Sequence, residues 1–283
     1  MEMKKNSSTL VNKNTITSIA IGGFDGMHVA HQELFKNLDE NGAIVSIESG
    51  FANLTPKVYR QEYSSYPIYY YVLDNIKHLE GDQFIKLLNE EFPNLKKIVV
   101  GYDFCFGKNR RYCIEKLKEL FHGNVKIIDE IKIDDIAVHS RVIREYLKDG
   151  EIEIANKLLG KEYKIYGHQI KGQGLGTKSF VPTINLKVEQ FLLPKEGVYI
   201  TKTILNEIEY NSVTFLGHRV TTDGSYAVET HILDENIIND TYTIQIKFIK
   251  KIRDNLKFDS FDELKNQIDK DIETTKNYFI NVY

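Results

Sequence analysis

The 283-residue chain is 42% hydrophobic and 27% charged, and its 37 Lys+Arg against 40 Asp+Glu leave a formal net charge of −3. That is the composition of a folded protein with ample core, and it lacks the basic excess of a nucleic-acid binder. No apolar run nears the ~20 residues of a membrane span, residues 1–14 lack the apolar stretch of a secretory signal, and two cysteines are too few for a disulfide framework or a zinc site.

In chain order, residues 16–22 (ITSIAIG) read as a short, apolar, β-branched strand followed by glycines. Residues 31–38 follow with helical spacing through Leu34, Phe35 and Leu38, and Asn41-Gly42 is read as the helix stop. Residues 43–47, 68–73, 97–100 and 125–128 read as further strands, 68–73 (IYYYVL) with the length of a buried one, and 83–88 and 114–121 as helices. The alternation predicts a parallel sheet covered by helices, with a ligand site at the carboxyl ends of its strands. Cys105 and Cys113 fall inside this half and are read as reduced thiols of a cytosolic protein. Residues 140–147 and 152–159 read as two short helices broken at Asp149-Gly150, the second capped by Gly160. Beyond Gly160 the texture changes. Residues 163–170, 198–205, 209–216, 226–233 and 242–249 are rich in Val, Ile, Thr and Tyr, which predicts an antiparallel barrel or sandwich. Residues 261–279 read as a long closing amphipathic helix. A domain boundary is placed near Gly160.

Two segments carry chemistry. The first, Gly22-Gly23-Phe24-Asp25-Gly26-Met27-His28-Val29-Ala30-His31, joins the first strand to the first helix. Its glycines allow close backbone approach, and the helix start offers free N–H groups to a phosphate. His28 and His31, three apart, share one side of that turn and can polarise a triphosphate. The second is Gly172-Gln173-Gly174-Leu175-Gly176 with Val181-Pro182-Thr183-Ile184-Asn185. Thr183 and Asn185 share one face of an extended segment, and their oxygens suit Mg²⁺ on a nucleotide phosphate.

These segments resemble the bacterial bifunctional riboflavin kinase/FAD synthetases, over nearly the whole chain. The first is similar to that family's G-x-F-D-G-x-H-x-G-H, with Ala30 in place of a glycine. Residues 101–107 (GYDFCFG) resemble its G-x-D-F-x-F-G, and Ile143-Arg144 the end of its S-S-T-x-I-R, where this chain has His139-Ser140-Arg141. Its F-x-P-H-P has no counterpart near residues 47–51. Residues 181–185 (VPTIN) resemble P-T-A-N, Gly217-His218-Arg219 resembles G-x-R-P-T, Val228-Glu229-Thr230-His231 resembles V-E-x-H, and Arg253 with Phe258 resembles R-x-x-x-x-F. Phe180 departs from the family's glycine.

The resemblance implies a Rossmann-like nucleotidyltransferase domain over 1–160 and a β-barrel riboflavin kinase domain over 161–283 that ends in a long helix. It implies riboflavin, FMN and ATP as small-molecule partners, FMN and FAD as products, Mg²⁺ as cofactor, and neither nucleic acid nor membrane. Glu229 would be the general base of the kinase, with Gly172, Gly176, Thr183 and Asn185 at its nucleotide. His28, His31, Gly22, Gly23, Phe24, Asp25 and Arg144 would bind the nucleotide of the adenylyltransferase. Asp103, Phe104, Phe106 and Arg253 would contact flavin. For the two phenylalanines, core packing is an equal alternative. Two other readings stay open: one retained activity, most plausibly the kinase, or a flavin- or nucleotide-binding regulator without turnover.

Overall fold

The computed structural model describes residues 12–170, 181–219, 221, 224–234 and 243–282. Contacts divide the chain into two compact units, Met1–Ser140 and Arg141–Tyr283.

The first unit contains β1 (Ser18–Gly22), α1 (Val29–Lys36), β2 (Gly42–Glu48), β3 (Ile68–Val72), α2 (Leu73–Ile76), α3 (Gly81–Glu91), β4 (Lys97–Gly101), β5 (Cys105–Phe106), β6 (Tyr112–Cys113), α4 (Ile114–Leu120), β7 (Asn124–Ile128), β8 (Lys132–Ile133) and β9 (Ile136–Ala137). Its sheet runs β3-β2-β1-β4-β7 with every neighbour parallel. Side-chain alternation in β1 builds the two layers. Ile19 and Ile21 join the core of Phe84, Ile85, Leu88 and Leu117 from α3 and α4, while Ala20 joins Leu34 and Phe35 of α1. Each such burial is favourable by about 1.5–3 kcal/mol, so a one-residue slip of β1 would exchange both faces at once. The chain order reverses between β1 and β4, and that switch point is where a parallel sheet opens a crevice at its carboxyl edge.

In this unit the expected strands and helices are present, with these differences. Helix α1 ends at Lys36 with Asn37 as its C-cap, and Gly42 opens β2 instead of stopping the helix. A Cβ at Gly42 would lie 2.7 Å from the Leu38 Cβ, so that position needs glycine for close approach. Strand β3 is half-exposed, because it is the sheet edge and pairs only with β2. The hairpins β5–β6 and β8–β9 have two-residue strands, too short to leave a periodic signal. Lastly, Cys105 and Cys113 form a disulfide, which overturns the expectation of two reduced thiols. The hairpin register sets them directly opposite each other, with Cα atoms 4.2 Å apart.

The second unit contains α5 (Ser140–Asp149, whose first residue belongs to the first unit), α6 (Ile152–Leu159), β10 (Tyr163–Ile170), β11 (Ile184–Val188), β12 (Gly197–Leu205), β13 (Ile208–His218), β14 (Tyr226–Ile232), β15 (Thr243–Asp254) and α7 (Phe261–Val282). The strands close an antiparallel barrel in the order β10-β11-β14-β13-β12-β15. Gly160 ends α6 in the left-handed conformation, as expected of a helix stop. Asn156 of α6 ties that helix to the barrel, donating to the Phe248 carbonyl and accepting from the Tyr163 N–H. The two short helices thus pack with the barrel, although the change of sequence texture comes at Gly160.

Helix α7 covers one face of the barrel through Val198, Ile200, Val213 and Phe279. The alternate residues of the same strands are hydroxyls: Thr201, Thr203, Ser212, Thr214 and Thr230, all fully buried. Their oxygens form a closed ring in the order Thr203, Ser212, Thr201, Thr214, Thr230, with separations of 2.7 to 3.0 Å. Each hydroxyl can give one hydrogen bond and receive one around the ring, so none is left unsatisfied in a dry interior. The ring pins β14 to β12 and β13 at Thr230, the residue after Glu229.

Candidate active sites

At the end of β1, the segment 22–28 turns sharply. Phe24 and Met27 hold left-handed backbone angles (φ 49° and 46°), unusual for residues with a side chain. Both are fully buried, and Phe24 lies edge-on to His31 at 5.1 Å and to Phe35 at 5.1 Å. His28 is the N-cap of α1, and its Nδ1 accepts from the His31 N–H at 3.4 Å. The two imidazoles stack with centroids 3.5 Å apart. The expected pair is therefore brought together at the start of α1, beside N–H groups that no helical carbonyl satisfies.

Asp25 has a different neighbourhood. Its buried carboxylate accepts the backbone N–H groups of Asn53, Leu54 and Thr55 at 2.9 to 3.2 Å, and its carbonyl accepts from the Ser140 hydroxyl at 2.7 Å. It holds the loop together from within. Ser140 is the one hydroxyl kept from the serine-rich motif, and it holds the same loop. Arg144 is half-buried on α5, in the second unit.

The segment after β4 lies at the neighbouring carboxyl edge. Tyr102, Asp103, Phe104 and the disulfide line a cleft of about 430 Å³ with Ile114, Glu115 and Lys116. Asp103 is exposed there, and Phe104 is half-buried, stacked on Phe106 at 5.7 Å. Phe106 is 5% exposed and belongs to the core with Phe84, so only Phe104 offers its ring toward the cleft.

In the barrel unit, strand pairing assembles the second set. Asn185 and Glu229 are cross-strand partners of β11 and β14. Arg219 bridges them: Nε donates to Glu229 Oε1 at 2.7 Å, Nη2 pairs with the same oxygen, and Nη2 donates to Asn185 Oδ1 at 2.7 Å. Its Nη1 holds Ser225 Oγ at 2.9 Å. Strand β14 is regular, so His231 shares the face of Glu229, and its Nδ1–H donates to the Pro182 carbonyl at 2.8 Å. Burial pushes the His231 imidazole below its usual range, which keeps it neutral near pH 7. Thr183 lies between these two ties and is exposed. Gly217 has φ 140°, and a Cβ there would come within 2.7 Å of Glu196 Oε2, so the turn leading to Arg219 needs glycine. Gly172, Gly176 and Phe180 lie outside the described residues.

The Thr183 hydroxyl and the Asn185 amide oxygen are hard, neutral donors. They fit a Mg²⁺ that arrives already bound to nucleotide phosphates. They do not make a resident metal site, and among the described residues no three His, Cys, Asp or Glu converge to form one. No helix among those residues is long and apolar enough to cross a membrane.

Arg253 donates from Nε and Nη2 to Asp271 of α7 at 2.8 to 3.1 Å, and Asp271 is 3% exposed. Its cation also lies 5.8 Å from the Phe258 ring. This geometry ties α7 to β15. Arg253→Leu is expected to lower the stability of the barrel unit by about 3–5 kcal/mol, because it strands a buried carboxylate, and Arg253→Leu/Asp271→Leu should recover most of the loss. Urea unfolding measures both. A loss of riboflavin affinity in the stable double variant would give Arg253 a flavin role as well.

The sequence reading missed Arg219 as a bridge: it stood within a recognised motif, but its bridging depends on strand register. Arg60 and Glu48, a pair that meets behind the Gly23 carbonyl, belong to no sequence pattern.

Comparison with known proteins fits this geometry. The Flavokinase family, described as riboflavin kinase, matches residues 159–279, which span the barrel. The bifunctional riboflavin kinase/FMN adenylyltransferase of Haemophilus influenzae is 30% identical, covering 93% of this chain and 94% of its own. The proteins of that name from Bacillus subtilis (27% identical, 93% of each chain) and Escherichia coli K12 (28%, 92% of each) align over the same extent. A solved structure titled as a macrolide-efflux protein from Streptococcus pneumoniae superposes with a TM-score of 0.84 at 26% identity, over 93% of this chain and 94% of that one. Full-length similarity on both sides, with a parallel sheet and a closed barrel in the expected order, places this chain in the bifunctional riboflavin kinase/FMN adenylyltransferase family.

Proposed function

We propose that the chain carries out two ATP-dependent steps of flavin cofactor synthesis: riboflavin to FMN in the barrel unit, and FMN to FAD in the unit with the parallel sheet. The observation that carries this reading is the convergence of Asn185, Arg219 and Glu229, drawn from three separate motifs, on one face of the barrel.

In the first step Glu229 takes the proton from the ribityl 5′-hydroxyl while that oxygen attacks the γ-phosphate, and ADP leaves. Mg²⁺, when bound, would neutralise charge on the transferring phosphates, and Thr183 and Asn185 would hold it. In the second step a phosphate oxygen of FMN attacks the ATP α-phosphate, and pyrophosphate leaves. His28, His31 and the N–H groups at the start of α1 hydrogen-bond the triphosphate and stabilise the charge on the departing pyrophosphate. The Gly22–Gly23 backbone allows the nucleotide close approach, and Asp103 and Phe104 bound the flavin side. Asp25 and Phe24 shape the loop from beneath.

Incubation with riboflavin and Mg·ATP, read by chromatography, should show FMN appearing first and FAD after it. FMN without FAD would leave the kinase alone, and untouched riboflavin would end the reading. Thr183→Ala is expected to raise the KM for Mg·ATP in riboflavin phosphorylation by about tenfold, equivalent to ~1.4 kcal/mol of binding. FAD formation from supplied FMN should not change. An unaltered Mg²⁺ dependence would remove Thr183 from the ligand set.

A further inference from the structure

We infer that Arg60 is a positioning residue for adenylyl transfer: from behind the glycine turn it fixes the backbone that leads to His28 and His31. The inference rests on the reading of those histidines as phosphate contacts.

Gly23 has no side chain, and a Cβ there would meet nothing nearer than the Ile47 carbonyl at 4.0 Å. The left-handed Phe24 and Met27 add backbone conformations that persist only where the surroundings over-determine them. Residues 53–60 supply that constraint at two points. Asp25 grips the N–H groups of Asn53, Leu54 and Thr55. Arg60, with none of its surface exposed, reaches back the other way. Its Nη1 lies 3.1 Å from the Gly23 carbonyl, 2.6 Å from Ser46 Oγ and 2.5 Å from Glu48 Oε1, while Nε donates to the Thr55 carbonyl at 3.0 Å. Ser46 Oγ in turn lies 3.3 Å from the Gly23 carbonyl and 2.8 Å from Glu48. The Tyr70 ring covers the guanidinium at 5.9 Å.

A buried ion pair is weak evidence for stability, since well-packed apolar residues often replace one without loss. What apolar residues cannot do is donate to the Gly23 and Thr55 carbonyls together. A planar guanidinium with several fixed donors does so, and lysine, a single point charge, does not.

The test is Arg60→Met/Glu48→Gln, which leaves no stranded charge, with riboflavin phosphorylation in the other unit as an internal standard. We expect a folded protein by circular dichroism with normal FMN production. Its kcat for FAD formation from FMN should fall about 10²-fold, the effect of an ångström-scale misplacement, with KM for ATP changed by less than about threefold. Arg60→Lys should keep the fold and fail to restore kcat. Wild-type kcat in either folded variant overturns the inference. Should both fail to fold, Ser46→Ala decides. An unaltered melting temperature with kcat lowered about fivefold or more supports positioning, and unchanged kcat overturns it. His28→Asn in the same assay separates two failures. If it too keeps FAD formation, the reading of His28 as a phosphate contact fails. If it loses FAD formation while the Arg60 variants do not, only Arg60 falls.

Discussion

Glu229→Gln is expected to slow riboflavin phosphorylation by about 10²–10⁴-fold, the usual contribution of a positioned general base, while FAD formation from supplied FMN proceeds at the wild-type rate. Glutamine keeps the shape of the side chain and an oxygen that can still accept from Arg219 Nε, now 2.7 Å from Glu229 Oε1. The Arg219–Glu229 pair is 18% and 23% exposed and so is partly screened, and the melting temperature should move by only a few degrees. What the amide cannot do is take the 5′-hydroxyl proton. The effect should therefore fall on kcat, with the KM for riboflavin little altered. A glutamine variant that made FMN at the normal rate would show that the proton leaves by another route. One that lost both reactions equally would show that the two chemistries are not divided between the units.

How much of this was legible in the sequence follows from the range of the interactions. Strand β1 is short but apolar and β-branched, and most barrel strands are longer runs of the same kind, so local pattern reveals them. The pairing of His28 with His31 is equally local, because the two lie three positions apart at the start of one helix. Strand β11 hid because it starts just after Pro182 and carries the polar Asn185. The β5–β6 hairpin hid because two-residue strands have no period, and the Cys105–Cys113 bond hid with it. Roles set by register or by distant contact were the least visible. Resemblance alone singles out Glu229, because the neighbours that surround it, Asn185 opposite and Arg219 closing the bridge, are set by strand register. Arg60 reads as one charge in a tyrosine-rich stretch, and only the fold reveals that its guanidinium meets Gly23, thirty-seven residues away. Conversely, Asp25 reads as a ligand of the nucleotide because it lies inside the motif, while its carboxylate faces inward to backbone N–H groups.

The complementary expectation concerns His28. Replacing it by alanine should lower FAD formation by about 10²–10³-fold, the cost of removing one donor that stabilises developing charge, and leave riboflavin phosphorylation unchanged. Alanine alone would confound two effects, however. His28 is also the N-cap of α1, with its ring accepting from the His31 N–H and stacking on the His31 imidazole, and losing a cap costs about 0.5–2 kcal/mol. Asparagine separates them, since it is among the best N-cap residues and carries no imidazole. His28→Asn should therefore melt close to the wild type and still fail to make FAD. If the asparagine variant regained FAD formation while alanine did not, His28 would act through the helix start, and the phosphate contact would pass to His31 and the N–H groups beside it. If both variants made FAD normally, the chemistry of this unit would lie away from the start of α1.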